Sequence, residues 1–308
     1  MEYPFILEKK NFLSNLDLTK EEVLKILDFA DNIKNKKLKV QCNKKVLGLI
    51  FDKASTRTRV SFQVAMSNIG GITIDLNPHT SQIGRGELIK DTARVMSRYC
   101  DVLAIRTYMQ SDLYEYAKWS TVPVINALSD MEHPCQALAD FFTIKEEFGD
   151  LNGLVLTYIG DGNNVANSLI YCGSKLGVEV RIACPKGYEP NPKIIAEAKN
   201  IVGYNKIKIF NDPIEAINGA NILYTDVWSS MGEESRMNEK DKNFKGYTIT
   251  KNLVKKAEKD SIVLHCLPAY RDKEITDEVI DCKQSRIFDQ AENRMHVQQA
   301  LLSCLLNQ

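Results

Sequence analysis

Residues 46–59, VLGLIFDKASTRTR, carry the decision about the fold. Val46 to Phe51 is an apolar run with β-branched members, the pattern of a strand covered on both faces. It leads through a hydroxyl-rich turn directly into a helical pattern. That pattern sets Phe62, Met66 and Ile69 on one face and stops at Gly70-Gly71, where glycine accepts the left-handed cap conformation. Free backbone N–H groups and the positive end of a helix dipole meet in the turn, and Ser55, Thr56, Arg57 and Thr58 add hydroxyls and a guanidinium fork. With Lys53 and Arg59 at its flanks, the turn matches a phosphate dianion. Each residue alone also fits an ordinary N-cap followed by solvated arginines; the density of hydroxyls and cations in one turn favours the anion site.

Outward from this unit the alternation repeats. Val102 to Ile105, Leu154 to Ile159, Val178 to Ala183, Ile222 to Tyr224 and Ile262 to Leu264 read as strands, with helical patterns between them. A βαβα order implies an α/β fold with parallel sheets flanked by helices. The 308 residues exceed one ordinary core, and a 44% hydrophobic content suffices for two domains. A helical pattern from Gln136 to Glu147 ends at Phe148-Gly149, which sets the expected domains at 1–148 and 149–289. The last helical stretch, within about 290–308, is expected to pack back on the first domain.

Lys plus Arg number 40 and Asp plus Glu number 40, so no global field draws the chain to nucleic acid or to an anionic membrane. Neither a secretory signal nor a membrane-spanning run is readable, and eight scattered cysteines lack CxxC pairs. The expectation is a reducing cytoplasm and no metal site.

Other segments that carry chemistry follow strands. Arg106 stands just past Val102 to Ile105, and Glu132-His133-Pro134-Cys135-Gln136 opens a helix after the apolar stretch Val122 to Leu128. A neutral or protonated imidazole and an amide there can polarise a carbonyl, although a His before Pro also occurs as a plain turn residue. Gly160-Asp161-Gly162-Asn163-Asn164-Val165 begins like a dinucleotide fingerprint, but Val165 replaces the third glycine and Cys184-Pro185 offers no acid for a ribose. No nicotinamide cofactor is expected. Asn167, one turn into that helix, suits a small polar substrate or simply solvent. Asp226-Val227-Trp228-Ser229-Ser230-Met231-Gly232 can receive an ammonium group, and Leu264-His265-Cys266-Leu267-Pro268 leaves a thiol at a strand's carboxyl end, where a cysteine can equally be buried.

Taken together, STRTR at Ser55 to Arg59, HPxQ at His133 to Gln136, D-x-x-x-S-M-G at Asp226 to Gly232 and HCLP at His265 to Pro268 make the whole chain resemble the aspartate/ornithine carbamoyltransferase family. The first two motifs are shared across the family; SMG and HCLP point to its ornithine-specific branch. The resemblance implies transfer of the carbamoyl group of carbamoyl phosphate to the δ-amine of L-ornithine, giving L-citrulline and phosphate, without a metal or organic cofactor. It implies that Ser55, Thr56, Arg57 and Thr58 hold the phosphate, with Arg106, His133, Gln136 and Arg294 around the carbamoyl group. Asn167, Asp226, Ser230 and Met231 bind ornithine, and Cys266 and Leu267 line the place where amine meets carbonyl. Arg57, Arg106, His133, Asp226 and Cys266 are the implied catalytic set, with Asp226 and Cys266 candidates for poising the amine. Family members are usually trimers or assemblies of trimers in which a neighbouring loop, here Ser81 to Glu87 with Gln82, completes each site. Arginine biosynthesis is the implied role; the open alternatives are a catabolic direction or another amine such as putrescine, which lacks the groups Asp226 would engage.

Overall fold

The computed structural model describes residues 3–77, 86–202, 206–229 and 237–307. Gln82, Ser230 and Met231 lie outside these residues. By contacts the chain divides into two compact units, Met1–Ala139 with Asn293–Gln308, and Asp140–Glu292.

In the first unit α1 (Lys20–Lys34) precedes β1 (Val46–Phe51), α2 (Arg57–Asn68), β2 (Ile72–Leu76), α3 (Ile89–Met96), β3 (Val102–Arg106), α4 (Gln110–Trp119), β4 (Val124–Leu128) and the first turns of α5 (Pro134–Phe148). Its four strands are parallel in the order β2-β1-β3-β4. β1 and β3 lie at the centre and are buried almost throughout, which is why they are apolar without alternation. Successive connections leave β1 toward β2 on one side and lead from β3 to β4 on the other. The direction of winding therefore reverses between β1 and β3, where Phe51 pairs with Arg106 at the carboxyl ends. Ligands of open α/β sheets bind at such a switch point. α2 buries Phe62, Ala65 and Met66, and its exit uses Gly70 at φ +79°.

The second unit runs β5 (Val155–Ile159), α6 (Asn164–Leu176), β6 (Glu179–Ala183), α7 (Pro192–Val202), β7 (Ile207–Phe210), α8 (Pro213–Ala216), β8 (Ile222–Thr225), α9 (Met237–Asn243), α10 (Lys251–Val254), β9 (Ile262–His265), α11 (Asp277–Ile280) and the start of α12 (Ile287–Leu305). The strand order is β7-β6-β5-β8-β9, again parallel. Its switch point lies between β5 and β8, where Ile159 pairs with Thr225, so Gly160 and Asp226 open on the same crevice. Gly162 meets the backbone there: a Cβ on it would stand 2.3 Å from the Pro190 nitrogen.

Three strands escape the sequence reading. β2 is an edge strand of five residues that leaves Ile72 and Ile74 exposed, β4 sits inside the stretch read only as apolar, and β7 is four residues long with an exposed Lys208. By contacts, the division between the two units falls within α5, between Ala139 and Asp140. α12 is likewise shared, with its part from Asn293 onward in the first unit.

Candidate active site

At the first switch point the end of β1 feeds α2 without a side-chain cap on Thr56, so the first-turn N–H groups stay available to an anion; Ser55 Oγ accepts only from Thr58 N, at 3.3 Å. Ser55 is partly covered, Thr56 and Arg57 are exposed, and Thr58 is buried. The flanking cations have other partners. Arg59 forms an ion pair with Asp75 and lies over the Phe51 ring, and Lys53 sits 4.4 Å from the Tyr108 ring centroid. Among the cations of the turn, Arg57 is thus the one left facing outward.

Behind the turn a buried polar cluster converges from α2, α5 and α12. Arg294 donates from Nη2 to Thr58 Oγ1 at 2.6 Å and to His133 Nε2 at 3.2 Å, and from Nη1 to Gln136 Oε1 at 3.1 Å. Thr58, Arg106, His133, Gln136 and Arg294 are each less than a tenth exposed. Burial holds the His133 imidazole well below the usual range for protonation, and the Arg294 and Arg106 guanidinium charges push it further down. His133 is therefore neutral and accepts at Nε2. This removes the imidazolium alternative that the sequence leaves open. Arg106 ends β3, its carbonyl accepting from Asp52 N at 2.8 Å, which aligns the two strand ends.

At the second switch point Asn163 caps α6, its Oδ1 accepting from Val165 N and Ala166 N, while its Nδ2 donates to Asp226 Oδ2 at 2.9 Å. Cys266 Sγ donates to the other oxygen, Asp226 Oδ1, at 3.0 Å. Both carboxylate oxygens are thus aimed by fixed donors. Asn167 is buried one turn further along α6, so it does not face solvent. The Cys266 thiol is pushed well above the usual range by burial and the Asp226 carboxylate, and further by Asp140. A thiol so placed is a proton donor near neutral pH and not a base.

Ligand atoms of Asp226, His265 and Cys266 lie within 4.8 Å of one another, the composition of a metal site. Their hydrogen bonds organise them differently. His265 Nδ1 accepts from Leu267 N at 2.9 Å, so Nε2 carries the proton and meets Glu274 Oε1 at 3.0 Å. Neither ring nitrogen presents a lone pair to the other two residues. Glu274 Oε1 also accepts from Tyr270 N at 2.6 Å, so His265 and Glu274 brace the turn after β9 that carries Leu267 at φ +58°.

Sequence reasoning did not single out Asn163, Glu274, Tyr224 or the ion pair of the buried Lys240 with Asp161, joined at 2.7 Å. An Asn directly before a helix following Gly-Asp-Gly is a legible N-cap; the others carry no local signal.

The carbamoyl-P binding domain of the aspartate/ornithine carbamoyltransferase family matches residues 10–146, and the Asp/Orn binding domain of the same family matches residues 152–305. An ornithine carbamoyltransferase of Prochlorococcus marinus subsp. pastoris is 70% identical over 304 residues, covering 98% of this chain and 99% of the relative. Among solved structures, the ornithine carbamoyltransferase of Pyrococcus furiosus superposes with a TM-score of 0.92 at 46% identity, over 96% of this chain and 97% of that one. The anabolic ornithine carbamoyltransferase of Campylobacter jejuni gives 0.90 at 40% identity, over 97% and 99%. Full-length identity at this level, two matched domains and parallel sheets with polar residues gathered at both switch points leave one conclusion: the chain belongs to the aspartate/ornithine carbamoyltransferase family and is a carbamoyltransferase.

Proposed function

We propose that the chain transfers the carbamoyl group of carbamoyl phosphate to the δ-amine of L-ornithine, releasing L-citrulline and phosphate. In this reading it works in the anabolic direction, for arginine biosynthesis, as a cytoplasmic homotrimer or an assembly of trimers. The observation that carries the donor half is the uncapped start of α2, backed by Arg294, whose guanidinium spans Thr58, His133 and Gln136.

Ser55, Thr56, Arg57 and Thr58 hold the phosphate through the helix N-terminus and one outward guanidinium. Arg106, Arg294, His133 and Gln136 surround the carbamoyl group, where preorganised donors stabilise the oxygen that gains charge as the amine adds. The δ-amine lone pair forms the new C–N bond, the C–O bond to phosphate breaks, and the surplus amine proton leaves with the phosphate. An alkylamine has a pKa of about 10.4, so the site must favour its neutral form. Asp226 and Asn167, with Ser230 and Met231, bind the α-amino and α-carboxylate end and leave the δ-amine to react. Cys266 serves Asp226 as a donor; its assignment to the carbonyl side with Leu267 rests on the family resemblance. Putrescine would leave the Asp226 carboxylate without its ammonium partner.

Similarity to the anabolic Campylobacter enzyme supports the direction. Exposed apolar side chains on the first unit, Val60, Ile72 and Leu88 at 50%, 59% and 56%, support self-association.

The direction and the assembly are tested on one preparation. Forward turnover is compared with phosphorolysis of citrulline at physiological substrate levels, and the mass is measured by light scattering. A forward preference and a mass near three times 34.9 kDa, or a multiple of that, are expected. A preference for phosphorolysis, or an active monomer, contradicts the corresponding half of the proposal.

A further inference from the structure

Of the segment Glu132-His133-Pro134-Cys135-Gln136 the proposed chemistry uses only His133 and Gln136, yet Glu132 is only 3% exposed. A buried carboxylate is costly unless hydrogen bonds hold it, so its partner is informative. Glu132 Oε2 accepts from Asn15 N at 2.9 Å. The Asn15 side chain reaches the other neighbour of His133, its Nδ2 donating to Pro134 O at 3.4 Å. Asn15, itself buried, thus grips both the residue before His133 and the residue after it.

Asn15 can serve as an anchor because the segment that carries it is tied to the first sheet. Phe12 forms a parallel bridge with Ile125 of β4, its N donating to Val124 O at 2.9 Å and its O accepting from Asn126 N at 2.8 Å. Leu13 O accepts from Asn126 Nδ2 at 2.9 Å and from Gln110 Nε2 at 3.1 Å. Asp17 Oδ2 accepts from Leu13 N and Ser14 N and so closes the single helical turn Asn15–Asp17. On the other side of Glu132, Ser129 Oγ donates to Gln110 Oε1 at 2.5 Å and accepts from Glu132 N at 3.2 Å.

Two consecutive side chains therefore leave the loop for different anchors, Glu132 for Asn15 and His133 for Arg294. We propose that Glu132 is a positioning residue for the donor site: held by Asn15, it fixes the backbone from which the His133 ring reaches Arg294. This rests on the proposed donor site, in which His133 faces the carbamoyl group. The segment around Asn15 then belongs to the machinery of that site although it touches no substrate.

Two variants separate position from charge. Glu132→Leu removes the acceptor, whereas Glu132→Gln keeps an oxygen for Asn15 N and removes only the charge. An ångström of misplacement costs up to about a hundredfold in rate, so kcat is expected to fall about tenfold to a hundredfold in Glu132→Leu, and Glu132→Gln should recover most of it. NMR titration of the His133 ring reads its position without substrate. The ring faces Arg294 of α12 and Arg106 of β3, and burial and both charges hold its pKa down. Loss of a nearby carboxylate lowers that pKa further, whereas release of the ring toward water raises it, so a rise reports displacement. A rise of at least about one pH unit, tenfold in proton affinity, is expected in Glu132→Leu and none in Glu132→Gln. A folded Glu132→Leu protein whose His133 is unmoved or lowered overturns the proposal, as does a Glu132→Gln protein with an equal rise. If Glu132→Leu does not fold, Asn15→Ala takes its place: it frees Pro134 O, a smaller rise is expected, and no rise overturns the proposal. A displaced ring with unchanged turnover upholds the positioning and contradicts instead the donor role of His133.

Discussion

Replacing Arg294 by Met tests the donor half of the site. The guanidinium makes three hydrogen bonds to buried acceptors, Thr58 Oγ1, His133 Nε2 and Gln136 Oε1. Hydrogen bonds from a charged donor contribute about 1.5–3 kcal/mol each, but the three share one group and do not add, and Met also removes the cost of burying the charge. A stability loss of about 2–4 kcal/mol is expected. By the proposed role of Arg294, the transition state loses one preorganised cation beside the carbamoyl oxygen, about 2.7–4 kcal/mol, or about a hundredfold to a thousandfold in turnover. The variant also leaves a spectroscopic mark. Burial still lowers the His133 pKa, but one of its two guanidinium neighbours is gone, so the value moves up toward the ordinary range. Urea unfolding, steady-state phosphate release and NMR titration of the His133 ring read the three effects separately. A folded Arg294→Met protein with near wild-type turnover and an unmoved His133 would refute the reasoning.

Three further outcomes follow from other parts of the molecule. Asp226→Asn removes the charged acceptor of Asn163 and Cys266, and by the proposed role raises the ornithine KM about 10- to 150-fold while the carbamoyl phosphate KM hardly changes; steady-state kinetics in both substrates check this. Gly162→Ala brings a Cβ within 2.3 Å of the Pro190 nitrogen and 2.5 Å of the Glu189 carbonyl carbon, so backbone has to move, and thermal unfolding should show a loss of about 1–3 kcal/mol. His133 has a folded pKa below its unfolded value of about 6.5, so on acidification the unfolded chain takes the proton first; its contribution is intact above about pH 6.5 and declines below it by up to about 1.4 kcal/mol per pH unit. Urea unfolding at pH 7.5 and 5.5 should lose that part of its pH dependence in His133→Gln.

What the sequence made legible is local. The strand, turn and helix of residues 46–69 read directly because their chemistry lies within one stretch of chain, and the parallel sheets follow from repeating that unit. The cations of the same turn were less legible. Arg59 and Lys53 share its composition with Arg57, yet their partners, Asp75 and the Tyr108 ring, come from other elements. Thr58 and Arg294 meet across a separation of 236 residues, and the physical reading of the chain had no means of joining them; only the resemblance did. Asp140 and Tyr224, which both accept from Gln290 Nε2, look in sequence like ordinary members of a helix and a strand, because their burial and their shared partner are tertiary. The state of His133 was open for the same reason, since its protonation depends first on burial and then on Arg294 and Arg106, all set by tertiary packing.

The most direct test of the central claim supplies the purified protein with carbamoyl phosphate and, in separate reactions, L-ornithine, putrescine or L-aspartate. Phosphate release is followed and the ureido product identified by mass spectrometry. The account predicts citrulline from ornithine, with turnover of the other two amines lower by orders of magnitude. Product from putrescine or aspartate in preference to ornithine, or no turnover of any amine by folded protein, contradicts it.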